Sequence, residues 1–405
     1  MTLTEAHAIQ SWLAEQQFPT AFSGAIFFAL FKTYSVPSIS RLLVSTRQFG
    51  RPGDIEATSK RAADTSVLLT NMIMRPPGSP QARQAVARTN YLHNIYRRTG
   101  RISNDDMLYT LSLFILEAIR WTDKYEWRRL TDTERCAMAT CFKAWGEDLE
   151  ISYEALASQP QGWADGLHWL DELDAWSRQY EGENVAPSDT NVEIVAATKE
   201  LVLCQVPRFL HGLVWSIVSI LLGPRVCQAM RVPDSSWIVK LGFNIAVSVR
   251  KCLLRYFLPP RPHILRRVYN APKPDPRTGH YQSQRWLGRP WFMPEGYLIH
   301  DVGPENQSHV DDASYTNMFV KLLRTHVSIV NTWVPKCPSS TRVNVSRDQG
   351  TFSPHDRCLT PVPYILLDSP VQIPRASNIC DITSVLQLRR RGYTDFVVTT
   401  MQLPR

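Results

Sequence analysis

One histidine and two polar residues upstream of it could carry out chemistry together. Arg61 and Thr65 are four positions apart, and His93 follows them in an amphipathic stretch. Positions i and i+4 of a helix share a face, so Arg61 and Thr65 would direct two donors to one place. Across an apolar pocket, a histidine and such donors suit a b-type haem: imidazole binds iron, and the donors face oxygen. The alternatives are purely structural: His93 is a core residue, and Arg61 and Thr65 belong to a solvated helix face.

The helix that would carry His93 has clear local signals at both ends. Ser79 is a typical N-cap, Pro80 suits the first helical position, and Gly100 suits the end. Residues 1–258 predict a succession of helices of this kind, and capping residues at Ser103 and Thr131 begin two of them. Further helices are predicted at about 163–180, 190–205, 208–222 and 236–257. The fold class is therefore all-α.

The C-terminal third of the sequence differs from the rest in amino-acid composition. After Pro259 the chain is dense in Pro, Gly and Arg, which predicts extended segments that wrap a helical body. From residue 300 onward we find no pattern that indicates a fold. We therefore predict one mostly helical domain followed by an irregular C-terminal extension.

Composition narrows the range of partners. The chain has 405 residues, of which 44% are hydrophobic, so it can bury a substantial core. The formal net charge is +8, but no nucleic-acid-binding signature accompanies the basic residues, so we expect no nucleic-acid partner. An anionic membrane surface fits better, and an ordinary solvated surface is the alternative. The cysteines show neither CxxC nor zinc-like spacing, which predicts a reducing compartment without a disulfide framework.

Four ordered segments are similar to those of one protein family. They are FKTYSVPSIS at 31–40, KRAADT at 60–65, NYLH at 90–93 followed by ISNDDMLYTLS at 102–112, and YEWRRLTD at 125–132. They resemble the fungal endoplasmic-reticulum-bound oxygenases of the MpaB type, which share a catalytic domain with the bacterial rubber oxygenases, or latex-clearing proteins. The resemblance covers 18–298 as a catalytic domain and leaves 299–405 as a divergent extension of unknown fold.

The resemblance implies a helical domain that holds one haem b. His93 matches the proximal ligand of the haem iron, and Arg61 and Thr65 match the distal Arg and Thr of rubber oxygenases. The implied activity is that of an oxidoreductase of fungal secondary metabolism. It would cleave a C=C bond of a hydrophobic terpenoid, meroterpenoid or polyketide with O2. A non-catalytic haem-binding or hydrophobic-ligand-binding membrane-associated protein stays open as the alternative.

The sequence departs from the family in three respects. Asp64 stands where rubber oxygenases have a lysine. Those enzymes also use an upstream glutamate as a base, whereas the nearby acids here are Asp54 and Glu56. Fungal relatives usually begin with a membrane-spanning helix, but the longest apolar run here, 209–223, is shorter than the roughly 20 residues of a span. We therefore expect peripheral contact with the cytoplasmic face of the endoplasmic reticulum, with a soluble cytoplasmic protein as the alternative.

Other polar residues have structural interpretations. His211, within the most apolar run, is a second candidate pocket residue, and a packing role is the alternative. Four acids in or between the matching segments are explained by helix capping and internal ion pairs without catalysis. They are Asp105, Asp106, Glu117 and Glu126.

Overall fold

The computed structural model describes residues 1–49, 54–268, 273–282, 293 and 295–304, all within one compact unit that spans Met1–Lys336. The helices are α1 Leu3–Trp12, α2 Pro19–Thr33, α3 Pro37–Ser45, α4 Ile55–Met74, α5 Pro80–Arg97, α6 Asn104–Tyr125, α7 Asp132–Asp148, α8 Gly166–Asn184, α9 Asp189–Leu203, α10 His211–Leu222, α11 Pro224–Ala229 and α12 Trp237–Tyr256. Over these residues the chain forms no β-strand, only one bridge between Tyr281 and Tyr297. The all-α prediction is confirmed.

The capping signals fix the helices where the sequence predicts them. At the start of α5, Ser79 Oγ accepts a hydrogen bond from the backbone N–H of Ala82, and Pro80 occupies the first turn. Just beyond α5, Gly100 has a φ of 67°, in the left-handed region that favours glycine. At α7, Thr131 and Glu134 form a complete capping box. These local contacts set the position of the helix that carries His93.

Helix α6 forms the centre of the core. Its inner residues recur at helical spacing and are all buried; they are Leu108, Leu111, Phe114, Ile115 and Ile119. Helix α2 packs closely along α6. A Cβ atom on Gly24 of α2 would lie 2.7 Å from a ring carbon of Trp121, so only glycine permits this approach. The close contact fixes one wall of the interior space between α2, α4 and α6.

The helical body extends past both ends of the range 18–298. Before residue 18, Ala6 of α1 packs against Ala137 and Cys141 of α7. After residue 298, Ile299 and Val302 are buried in a cluster with residues of α4 and α5. The limits 18 and 298 remain a prediction for the extent of the family domain. Residues 305–405, most of the predicted extension, lie outside the described residues.

Two basic side chains hold the segment after residue 298 in place. Arg88 of α5 donates from Nε to the carbonyl of Val302 over 2.7 Å, and Lys60 of α4 donates to the carbonyl of Gly303 over 2.8 Å. Because Arg88 is fully buried, its hydrogen bonds replace lost hydration. Residues 299–303 therefore belong to the wall that α4 and α5 form.

We expect a chain ending after Pro304 to be more stable than a chain ending after Tyr297. The shorter chain loses the buried Ile299 and Val302, and burial of such a side chain contributes about 1.5–3 kcal/mol. It also loses the carbonyl that Arg88 binds. Urea unfolding, followed by the helical circular dichroism signal, measures the midpoint of unfolding of both chains. Equal midpoints would show that the segment only covers the surface.

Where the structure is described, no helix combines the length and apolar character needed to cross a bilayer.

Candidate functional site

A cavity of about 450 Å³ lies within the helical body. Its walls come chiefly from α2 to α6, and most of the lining side chains are aliphatic or aromatic, such as Phe22, Leu69 and Met107. The volume falls within the roughly 300–1,000 Å³ typical of pockets for cofactors and small molecules. A mostly apolar pocket with few polar groups suits a hydrophobic ligand that those polar groups orient.

The three residues singled out from the sequence all line this cavity. Arg61 and Thr65 come from α4, and His93 comes from α5. Helices α4 and α5 pack against each other, which brings the two segments of sequence to one space. The structure therefore places the histidine and the i, i+4 pair around a common cavity, as the haem hypothesis requires.

His93 has the properties of an imidazole available to a metal. Its Nδ1 atom is buried and has no hydrogen-bond partner among the described residues. Burial, together with the positive charges of Arg61 and Arg97, lowers the pKa of His93 to about 4. The ring is therefore neutral at pH 7, and the neutral ring is the form that binds iron. A neutral imidazole in the cavity wall, with no hydrogen bond at Nδ1 among the described residues, fits a metal ligand.

The donor set around His93 fits haem rather than a bare metal ion. In the part of the chain that the structure describes, no group of three or more His, Cys, Asp or Glu side chains could hold a metal ion. An iron ion at His93 would thus need most of its ligands from its own cofactor, as the haem ring supplies. Two lining cations, Arg61 and Arg101, could pair with anionic groups of such a cofactor. The residues that line the cavity therefore fit a haem group.

Arg61 lies in a polar corner of the cavity, beside Gln48, Tyr34 and Tyr96. We call these four residues the polar corner. The guanidinium donates a hydrogen bond to Gln48 Oε1 over 2.7 Å. Burial lowers the pKa of Arg61, and the nearby Tyr34, Asp64 and Tyr96 oppose that shift. Burial raises the pKa of Tyr34 to about 12, so its phenol stays protonated and can donate a hydrogen bond.

Sequence reasoning did not identify the three partners of Arg61 in the polar corner. Tyr34 lies in one of the segments that carry the resemblance, but nothing in that segment indicates that it reaches α4. Tyr96 follows His93 by three positions and so shares its face of α5, which is a usable signal. Gln48 lies in the turn after α3, and only the tertiary fold brings it to Arg61.

The acids near Arg61 have structural contacts. Asp54 caps α4 by accepting from the backbone N–H of Ala57 over 3.1 Å, and Glu56 is exposed in the first turn. Neither of them lines the cavity. Asp64 is buried and pairs with Lys60 at 2.9 Å. The nearby carboxylates thus lack the position that a general base would need in the cavity.

Asp106 is the one carboxylate among the described lining residues. It accepts hydrogen bonds from Ser38 Oγ over 2.7 Å and from the hydroxyl of Tyr180. Both hydroxyls therefore hold the carboxylate within contacts between α3, α6 and α8. Its backbone N–H donates to Ser103 Oγ, which caps α6, whereas its side chain makes no capping contact.

The remaining candidates have contacts that explain them. Glu117 pairs with Lys32 at 2.8 Å, and Glu126 pairs with Arg250 at 2.9 Å, which confirms the prediction of internal ion pairs. His211 Nε2 shares a hydrogen bond with the carbonyl of Val206 over 2.8 Å and does not line the cavity.

Comparisons with known proteins agree with the segments on which the resemblance rests. The family described as ER-bound oxygenase mpaB/B'/Rubber oxygenase, catalytic domain, matches residues 46–247, which include Arg61, Thr65 and His93. The ER-bound oxygenase mpaB' of Penicillium brevicompactum is 36% identical, over 75% of this chain and 78% of the relative. The ER-bound oxygenase mpaB of the same species is 35% identical, over 72% and 67%. That of Penicillium roqueforti (strain FM164) is 40% identical, over 57% and 76%. With this identity over most of both chains, the protein belongs to the family of ER-bound mpaB-type and rubber oxygenases.

Proposed function

We propose that this protein is a haem b-dependent oxygenase that holds O2 and a hydrophobic small molecule in the cavity of about 450 Å³. One observation carries the proposal: His93, Arg61 and Thr65, chosen from the sequence on two separate segments, line one mostly apolar space. Membership in a family of oxygenases supports the reaction class. Haem, when bound, supplies the activation of O2 that cleavage of a C=C bond requires.

The residues of this chain have distinct roles in the proposal. His93 would offer a neutral imidazole to the haem iron. Arg61 and Thr65 present two hydrogen-bond donors from one face of α4, where they stabilise negative charge that develops on the reacting oxygen atoms. The hydrogen bond to Gln48 fixes the guanidinium of Arg61, and the protonated phenol of Tyr34 adds a third donor. Preorganised donors of this kind require little rearrangement during the reaction.

The lining of the cavity supports a hydrophobic substrate. Aliphatic and aromatic side chains from α2 to α6 exclude water from the space beside the polar corner. A terpenoid, meroterpenoid or polyketide with an isoprenoid-like chain fits such a lining. The named relatives come from Penicillium, which supports a role in fungal secondary metabolism. Because they are named ER-bound, we also propose peripheral contact with the cytoplasmic face of the endoplasmic reticulum.

The test is the haem content of the purified full-length chain, followed by O2-dependent turnover. We expect about one haem per chain, a Soret band that shifts with CO, and O2 consumption with a polyprenyl-chain substrate that gives carbonyl products. No haem after purification and reconstitution would overturn the cofactor assignment. Stoichiometric haem without O2 consumption on any prenyl substrate would favour the non-catalytic ligand-binding protein.

A further inference from the structure

Helix α12, Trp237–Tyr256, lies on the body with one face and leaves the opposite face uncovered. None of its residues is fully buried. Its inner face meets the C-terminal end of α6, since the ring of Phe243 packs edge-on against Tyr125 and Arg250 pairs with Glu126, just after α6, at 2.9 Å. The helix also packs against α10. A helix of this length with a single partly covered face is available for a second contact.

The uncovered face of α12 is apolar. Leu241, Ile245 and Val249 recur every fourth residue and are 51%, 55% and 53% exposed. Each of Leu241 and Ile245 is two positions from an inner residue, a rotation of about 200° at 3.6 residues per turn. These side chains therefore point away from the body. We call this stripe, together with Ile238, the outer face of α12.

Exposed aromatic residues stand at both ends of the outer face. Trp237 is 71% exposed at the start of the helix, and Tyr256 and Phe257 are 71% and 73% exposed at its end. Beyond the helix, Ile264 and Leu265 are exposed as well. Soluble proteins rarely expose a contiguous apolar surface of this kind without a partner. Tryptophan and tyrosine at the ends of an apolar helix face are typical of contact with a membrane interface.

The charge around the outer face has one sign. Between Asp234 and Asp275 the sequence contains no Asp or Glu. The basic residues of the described part of this stretch are Lys240, Arg250, Lys251, Arg255, Arg261, Arg266, Arg267 and Lys273. Lys240, Arg250 and Arg266 pair with acids of other segments. Among the described residues, no acid lies within ion-pair distance of Lys251 or Arg255, which lie on the flank of the outer face. The segment is therefore apolar on one side and basic beside it.

We propose that the outer face of α12 binds the surface of a lipid bilayer that bears anionic headgroups, with the helix lying in the plane of the interface. The apolar stripe enters the boundary between headgroups and acyl chains, and Lys251 and Arg255 meet the lipid phosphates. This inference specifies the surface for the membrane contact proposed above and does not depend on haem.

Charge favours this occupant over two others. In a symmetric dimer through the outer face, the same basic flank would meet itself, because the stretch contains no acid to complement it. Residues 305–405 contain eleven Lys or Arg and eight Asp or Glu, so the net charge of this part of the chain has the same sign as the flank. An anionic bilayer provides both the apolar phase and the opposite charge.

The experiment is flotation of the full-length protein with vesicles of phosphatidylcholine alone or mixed with phosphatidylserine. We expect the parent protein to float with the mixed vesicles and, at high salt, to float less. Ile245→Glu should reduce the bound amount about tenfold or more, because it places a charge in the apolar phase. The matched control is Ile95→Glu, the same substitution at another exposed helical isoleucine, which should float as the parent does. Equal helical circular dichroism and haem content show that the variants are folded.

Four results would overturn the inference. If the parent floats and Ile245→Glu floats equally well, membrane contact stands but another surface makes it. If the parent floats with neither vesicle, both the contact and its surface are wrong. A parent dimer in light scattering that Ile245→Glu dissociates, without flotation, assigns the face to a second copy. Flotation only after removal of residues beyond Pro304 assigns it to the chain's own end. Haem content is measured separately, so a failure of the cofactor assignment can be distinguished from a failure of the membrane-surface inference.

Discussion

Replacing His93 by alanine is expected to abolish stoichiometric haem binding. The imidazole of His93 would form the only bond between the protein and iron in the proposed site. The other lining residues that could pair with haem are cations, which would bind its anionic groups. Loss of that bond removes the specific anchor and leaves only apolar contacts with the cavity wall. The pyridine haemochrome assay and the Soret band of the purified variant measure the loss. A full, unshifted Soret band in His93→Ala would remove His93 from the site.

A matched control separates ligation from general damage to the fold. His211 is also a helical histidine, but it bonds the carbonyl of Val206 and lies outside the cavity. His211→Ala should therefore retain haem at the parent level. If both variants lose haem equally, the effect belongs to folding and the assignment of His93 loses its support.

The stability of the haem-free protein gives a second, independent measurement. A structural histidine contributes hydrogen bonds, whereas buried Nδ1 of His93 has none among the described residues. An unsatisfied buried polar atom costs about 1–3 kcal/mol. His93→Leu, which replaces the ring by an apolar side chain, should thus leave the thermal unfolding of the haem-free protein unchanged or raise its midpoint. A clear fall in the midpoint would indicate a core histidine instead of a ligand.

The helices were predictable because their signals are local. Ser79, Pro80 and Gly100 bound α5 by their own backbone preferences, and no distant contact is needed to interpret them. The same holds for Thr131 and Glu134 at α7. The i, i+4 relation of Arg61 and Thr65 is equally local, so the sequence alone could place both on one face.

The residues that complete the site were not predictable in this way. Gln48 reaches Arg61 only because α3 and the turn after it fold against α4. The segment around Val302 binds α5 through its backbone, because the carbonyl of Val302 accepts a hydrogen bond from Arg88. A carbonyl acceptor has no signature in the sequence. Pattern analysis detects periodic faces and caps, whereas these contacts depend on how distant segments meet.

Arg61→Ala is expected to keep haem and to reduce turnover by roughly a hundredfold or more. Removal of one donor that stabilises developing charge costs on the order of 3 kcal/mol in the barrier. The side chain is not assigned to the iron, so the Soret band should remain. Arg61→Lys keeps a positive charge but loses the planar fork that bonds Gln48, and we expect an intermediate rate. Single-turnover rates with haem-loaded protein measure the effect.

Thr65→Ala and Thr65→Val test the second donor on the same face of α4. Valine keeps the shape of threonine and lacks only the hydroxyl, so a fall in rate in Thr65→Val isolates the hydrogen bond from packing. Because Arg61 and Thr65 act on the same developing charge, the double variant should lose less than the product of the two single losses. If all of these variants turn over at the parent rate, Arg61 and Thr65 are only a polar helix face beside the cavity, and stabilisation of the reacting oxygen must come from other residues.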